Sequence, residues 1–312
     1  MNNDSSTNKT PSNHNSSPMQ IKDLLILVLL ASIWGASFMF TRVSSPEFGA
    51  FAFASLRLGL AAVVLFPILM MAGNWKHLRD NFWMLVFISI FNSAMPFVMF
   101  AYATLYLEAG MTSVLNSFVP MLSGLIAHIY FKDYLSRSQQ AGLVIGIIGV
   151  GILMMDKMGI GNNTILPLCA CLTACLSYAV SANITKRKLS HVPPKVLAAS
   201  TMLVAGLLLI PFGVLTWPEE MPGLTAWSAV IAVAVLSTAF AYLLFFELIK
   251  NIGPTRTVSV TLLIPIFGIF WGALLLDEPI TISIIVGTIV IITGAYLSLS
   301  LKLPSRRRQA SG

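Results

Sequence analysis

The side chains able to do chemistry are few in this 312-residue chain, and they do not gather as an enzyme would require. Glu47, Glu108, Asp156, Glu219, Glu220, Asp277 and Glu278 all fall at the ends of apolar runs or in the joints between them, and Glu247 lies near a run's end. General acid–base or metal-assisted catalysis needs carboxylates, histidines or ligands that converge on one place. No set of nucleophile, base and orienting group can be assembled, and no phosphate loop or ATPase motif is present. The expectation is therefore no catalytic residue, no metal and no cofactor. His128 sits about one turn from the end of its run, where an imidazole can reach water. Cys171 and Cys175 share a helix face while Cys169 points elsewhere, so a thiolate shell for a soft ion cannot close and the three read as small apolar filling. What remains is a scatter of hydroxyls, amides, rings and one cation inside apolar runs: Trp34, Ser37, Arg57, Asn92, Ser93, Asn116, Tyr178, Ser181, Ser237, Thr238, Tyr242 and Thr261. Such groups bind a small polar molecule better than they transform one. Phe51, Phe53, Phe245 and Phe246 read as lipid-facing or core.

The elements that carry these groups follow from composition. Apolar residues make up 56% of the chain and charged residues only 10%, where a soluble domain carries roughly a quarter charged. The apolar residues form blocks near 23–43, 48–71, 82–106, 109–131, 139–155, 164–184, 194–217, 225–248, 254–276 and 280–301, each long enough to cross hydrocarbon as a helix. Lipid offers no partner to backbone outside helices. An all-α membrane bundle of ten antiparallel helices is predicted. The Asn-, Ser- and Thr-rich stretch 1–20 reads as a disordered tail, and 302–312 as a basic tail. The first block is of full length with no small-residue cleavage site behind it, so it reads as a retained helix rather than a signal peptide.

Of the 19 Lys and Arg, sixteen fall on the same side as the N-terminus, Arg42 and Lys157 fall on the other, and Arg57 lies within a span. That asymmetry places both termini in the cytoplasm and suggests a bacterial cytoplasmic membrane. It also accounts for the net charge of +7 and for the basic runs Lys186–Lys188 and Arg306–Arg308 without nucleic acid, since anionic headgroups attract such runs. Gly142 and Gly146 form a small-residue pair suited to close helix approach, within the bundle or in a homodimer.

Laid on itself with a shift of 145 residues, the chain matches Thr112 with Thr257, Pro120 with Pro265, Gly142 with Gly287 and Gly149 with Gly294. Lys132 and Asp133 fall on Asp277 and Glu278, and Asn92 and Ser93 on Ser237 and Thr238. Near the start of each half a shift of 144 sets Trp34, Ser37 and Thr41 on Tyr178, Ser181 and Thr185. Two five-helix repeats, 21–157 and 158–301, are expected, and five being odd, the second enters the membrane inverted. The joint with Lys76 and Arg79 duly corresponds to one with Glu219 and Glu220. Inverted repeats around a midplane site characterise secondary transporters.

Within each repeat a polar or small stripe recurs. Thr112, Asn116, Pro120, Ser123 and Ala127 lie within about 80° of one another at 100° per residue, as do Thr257, Thr261, Pro265, Gly268 and Gly272. Asn116 and Thr261 lean toward a cavity, whereas Ser123, Gly268 and Gly272 suit cavity and helix packing equally. Pro120 and Pro265 each free a carbonyl, so a matched kink, and a hinge, is the expectation. Arg57 stands about ten residues into its span, roughly 15 Å deep, where an uncompensated Arg costs at least about 2.5 to 3.5 kcal/mol. It must face protein or water. Its partners are sought among Asn92, Asn116, freed carbonyls and a substrate anion, and it either braces helices or binds substrate.

The segments "SIWGASF", the in-span Arg57 and "AYLLFFELIKNIGPTRTVSVTLLIPIFGIFWGALLLDEPITISIIVGTIVIITG", echoed by "AGMTSVLNSFVPMLSGLIAHIYFKDYLSRSQQAGLVIGIIGVGIL", carry a family resemblance from about Leu24 to Leu301. The chain resembles an EamA-type member of the drug/metabolite transporter superfamily. It departs from that pattern at Lys132 and Asp133, where many members show a Gly-Glu pair. The resemblance implies ten helices around a central cavity and movement, frequently outward, of small metabolites such as amino acids, amines, nucleosides or amphipathic drug-like compounds. A channel or lipid-moving permease is the alternative, and a membrane-embedded transferase a more distant one. The partners expected are thus a small-molecule substrate and membrane lipids.

Overall fold

The computed structural model describes residues 20–71, 73–155 and 164–299. Nearly all of the two expected tails, and the joint at 156–163 that contains the boundary between repeats, lie outside the described residues.

Ten spans are seen. The first two form one 50-residue helical element, Ile21–Met70, divided at Gly49. The others are Phe82–Thr104, Ala109–Phe131, Arg137–Leu153, Ile165–Lys188, Pro194–Leu215, Leu224–Ile252, Val260–Leu276 and Ile282–Ser298. No strand occurs among the described residues. The first joint is displaced from its expected place. Hydropathy ends the first span near 43, but the helix runs on past Pro46 and breaks only at Gly49, whose φ of 72° and ψ of 164° no helix accommodates. Glycine adopts this conformation without a Cβ penalty. Ser44 ties the extended segment to a neighbour, its hydroxyl donating to the carbonyls of Phe40 (2.9 Å) and Ala226 (3.3 Å).

The repeat is legible in local geometry. The fourth span ends at Lys132 (φ 56°) and the ninth at Asp277 (φ 53°), both left-handed without being glycine. In each case the next residue closes the turn six residues back: Asp133 N–H donates to Ala127 O at 3.1 Å, and Glu278 N–H to Gly272 O at 3.2 Å. The left-handed residue itself donates to the same carbonyl, Lys132 N–H to Ala127 O and Asp277 N–H to Gly272 O, so a left-handed cap ends both helices and fixes the direction in which the Asp133 and Glu278 carboxylates leave the backbone. The third and eighth spans contain π-helical turns at Ile90–Ala94 and Val235–Phe240, also in register under the 145-residue shift. The fourth and ninth spans tighten ahead of their prolines. Ser117 and Phe118 N–H bond three residues back, as do those of Thr261 and Leu262. Their prolines are nevertheless placed differently. Pro120 opens a new segment, Val119–Phe131, whereas Pro265 lies inside the continuous Val260–Leu276.

Packing joins the halves rather than separating them. The first span lies against the eighth and ninth, the sixth against the third and fourth, the second against the seventh, and the fifth against the tenth. Glycine makes the last contact close. A methyl group on Gly142 would stand 2.6 Å from Gly294 O, and one on Gly294 would stand 2.6 Å from Gly142 O. The face read as a packing or dimer surface is therefore occupied by the tenth helix. Gly268 and Gly272 serve packing too, the first against Ser113 and the second against the Glu278 side chain.

Candidate functional site

Two π-turns set the centre of the bundle. A π-turn inserts one residue and leaves a carbonyl without its usual donor. In the third span Pro96, which has no N–H, stands two residues beyond the turn. In the eighth no proline does so, and the Thr238 hydroxyl instead donates to Val233 O, five residues back, at 2.9 Å. The same hydroxyl oxygen accepts from Arg57 Nε at 3.1 Å. Arg57 is 9% exposed, and its guanidinium carbon lies 3.9 Å from the centroid of the Phe97 ring, a cation–π arrangement that gains strength where water is excluded. Tyr178 and Tyr242 are its electrostatic neighbours, and Tyr242 shares a side-chain hydrogen bond with Asn92 of the other π-turn.

Rings close the remaining sides. Trp34 meets Tyr242 edge-on at 6.4 Å and Phe245 at 5.4 Å, Tyr242 stacks on Phe246 at 5.8 Å, and Tyr178 stacks on Phe100 at 6.2 Å. Phe246 is buried, as the core reading expects, and Phe245 and Phe246 both touch rings of the candidate site. Among the described residues no carboxylate pairs with Arg57, and its single hydrogen bond uses Nε. Its two terminal nitrogens show no hydrogen bond to an acceptor among the described residues. A carboxylate could take both, since a guanidinium fork matches its two oxygens.

The predicted residues divide accordingly. Arg57, Asn92, Tyr178, Thr238, Tyr242 and Trp34 come together. Ser181 and Ser237 are fully buried, with hydroxyls that find no partner. Ser37 donates within its own helix, to Trp34 O at 2.6 Å, and Thr261 to Val258 O, just ahead of its helix, at 2.8 Å. Asn116 is half-buried, at the last residue before the fourth span breaks. Ser123 braces helices: Asn183 of the sixth span donates to its hydroxyl and its carbonyl, both at 3.0 Å. Cys171 and Cys175 are buried and Cys169 is exposed, all three as free thiols, and no group of three or more metal-ligating side chains occurs among the described residues.

Sequence reading misses a pair of ion pairs. Arg42 of the first span reaches Glu278 at 3.1 Å and donates to the carbonyls of Thr104 and Leu107. Glu278 also accepts the N–H groups of Ala109 (2.7 Å) and Gly110 (3.0 Å), capping the fourth span. At the other end of that span Arg187 pairs with Asp133 while lying over the Phe131 ring at 4.0 Å. Each pair joins a base in the first helix of one half to an acid after the fourth helix of the other. The signal is present in the chain, since the 145-residue shift sends Arg42 to Arg187 and Asp133 to Glu278.

Ten interleaved helices with a buried polar and aromatic centre define a multi-pass membrane transporter. The EamA-like transporter family matches twice, over residues 21–155 and 165–300, and this chain belongs to that family. It is therefore a membrane transporter and not an enzyme. It is 24% identical over 289 residues to the uncharacterized transporter YoaV of Bacillus subtilis strain 168, covering 89% of this chain and 97% of that one. It is also 24% identical over 295 residues to a probable amino-acid metabolite efflux pump of Escherichia coli strain K12, covering 90% of this chain and 96% of the pump. A crystal structure at 16% identity superposes with a TM-score of 0.63, over 88% of this chain and 96% of the other, and so shares the fold.

Proposed function

We propose that this chain is a secondary transporter that exports a small metabolite bearing a carboxylate and an apolar or aromatic body, amino-acid-like in chemistry, across the cytoplasmic membrane by alternating access. The two crossed ion pairs carry this reading. Ala109 and Phe131 bound the fourth span, which puts the pairs about 33 Å apart at 1.5 Å per residue, one at each end of the bundle. Each joins one half to the other. A rocking motion of 21–157 against 158–301 would open one of these pairs while closing the other. Between them Arg57 takes the substrate carboxylate, and Trp34, Ser37, Asn92, Asn116, Tyr178, Ser181, Ser237, Thr238, Tyr242 and Thr261 contribute the polar and aromatic wall. Pro120 and Pro265 give the fourth and ninth helices room to bend. Both termini are cytoplasmic by the basic-residue asymmetry, which assigns Arg187 and Asp133 to the inner end. The name of the Escherichia coli relative supports outward movement of amino-acid-like compounds.

Disulfide trapping tests the mechanism. In a background lacking Cys169, Cys171 and Cys175, the pairs Arg42→Cys with Glu278→Cys and Asp133→Cys with Arg187→Cys are introduced separately and bridged through mixed disulfides by a short bifunctional methanethiosulfonate, because the two Cβ atoms of an Arg–carboxylate pair stand too far apart for a direct disulfide, and efflux of a panel of radiolabelled amino acids is followed from loaded proteoliposomes. Each cross-link should stop transport, and reduction should restore it. Transport that continues with either end covalently closed would remove alternating access as the mechanism. Arg57→Lys and Arg57→Gln test the site: both should fold, with Gln raising the apparent substrate constant far more than Lys. Loss of folded protein in both would make Arg57 a brace.

A further inference from the structure

Two apolar clefts open on the flank of the bundle, and they differ in charge. One, of about 390 Å³, lies between the second and seventh spans at Gly59, Phe66, Gly206 and Ile210, with no charged side chain in its wall. The other, of about 440 Å³, is bounded by Trp83, Met84 and Phe87 at the start of the third span, Phe131 at the end of the fourth and Ile184 of the sixth, and it ends on Arg187 and Lys188. Its body is hydrocarbon-like and one end is doubly cationic. Trp83 is 81% exposed at its edge. Asp133 is the acid that faces Arg187, and Lys188 has no acidic partner among the described residues.

A ligand that complements this groove has an extended apolar body and an anionic head at one end. Soluble anions lack the first, and neutral lipids lack the second. A second copy related by a two-fold axis through this groove would set Lys186, Arg187 and Lys188 near their own duplicates, which like-charge repulsion disfavours. We infer that the groove is a binding site for an anionic phospholipid of the adjoining leaflet, with an acyl chain along Phe87, Phe131 and Ile184 and the phosphate between Arg187 and Lys188. Charge-assisted bonds from guanidinium to phosphate are among the stronger polar contacts, and the interfacial level of the Lys186–Lys188 run is where headgroups reside. A phosphate there competes with Asp133 for Arg187, so lipid occupancy loosens the ion pair at that end.

Trp83 provides the reporter. The full chain is reconstituted in phosphatidylcholine containing a small, fixed fraction of either brominated phosphatidylglycerol or brominated phosphatidylcholine, and the fluorescence component abolished by Trp83→Phe is followed. Quenching of that component should be several-fold greater with the brominated anionic lipid. Lys188→Gln, at an exposed residue without an acidic partner among the described residues and so compatible with folding, should reduce the preference, and Arg187→Gln combined with Lys188→Gln should remove it. Lys132→Gln with Arg137→Gln subtracts the same charge from the same end outside the groove and should leave the preference in place. Equal quenching by the two lipids, a preference that survives the Arg187/Lys188 double change, or one lost equally in the Lys132/Arg137 control would each overturn the site.

Discussion

The two ends of the bundle use the same pairing with different closure. At one end the Glu278 carboxylate, 9% exposed as a side chain, accepts two backbone N–H groups and pairs with Arg42. At the other the Asp133 side chain is 58% exposed, caps no helix among the described residues, and meets an Arg187 that also rests on a ring. Pseudo-symmetry therefore conserves position while burial sets strength. Surface pairs contribute about 0–1 kcal/mol, whereas stripping the acceptor from buried donors costs about 1–3 kcal/mol per group. The sealed end is the one whose acid also serves as a helix cap.

The largest expected effect breaks this contrast directly. Glu278→Gln should lower the melting temperature of the detergent-solubilised protein clearly, because the capping N–H groups and Arg42 lose a shared anion, while Asp133→Asn should leave it nearly unchanged. Equal shifts would mean that burial does not distinguish the ends.

Next in size is the fifth–tenth contact. Gly142→Val forces a side chain into the Gly294 backbone and should destabilise by about 1–3 kcal/mol, as overpacking does. Gly151→Val, at a position where an added Cβ meets nothing within 4 Å, should cost no more than a few tenths of a kcal/mol. Folded yield after mild heating compares the two.

The smallest effect sharpens the comparison at the π-turns. Thr238→Val removes both the bond to Val233 O and the acceptor for Arg57 Nε, and should weaken apparent substrate affinity about tenfold, equivalent to about 1.4 kcal/mol. Ser93→Ala, in the matching turn, removes a buried hydroxyl that has no partner and should leave affinity unchanged within twofold. A reversed order would place the substrate nearer the third span than the eighth.

Ten spans can be read from apolar blocks because lipid demands long, uninterrupted runs, and the paired halves can be read from Thr, Pro and Gly positions that recur in register. The boundary at Gly49 cannot, since hydropathy falls at Ser44–Glu47 before the backbone turns. Arg57 is recognisable because a lone cation among apolar residues is costly, and Asn92, Tyr178, Thr238 and Tyr242 because polar or aromatic side chains stand deep within their spans. Phe97 is not, as a phenylalanine under a guanidinium has the same sequence context as any lipid-facing one. The π-turns also escape notice: an inserted residue leaves hydropathy unaltered, and Pro96 marks only one of the two. The crossed ion pairs need one more step, applying the 145-residue shift to charges as well as to small residues.

The glycine contact between the fifth and tenth spans has a consequence for the order in which the protein is made. Gly142 meets a partner, Gly294, that lies 152 positions later in the chain. At roughly 5–20 residues per second, the fifth helix waits about 8–30 s in the membrane with its narrow face uncovered. Ribosomal pausing or truncation before Ile282 would leave that face uncovered, so docking of the last helix is the closing step for this contact.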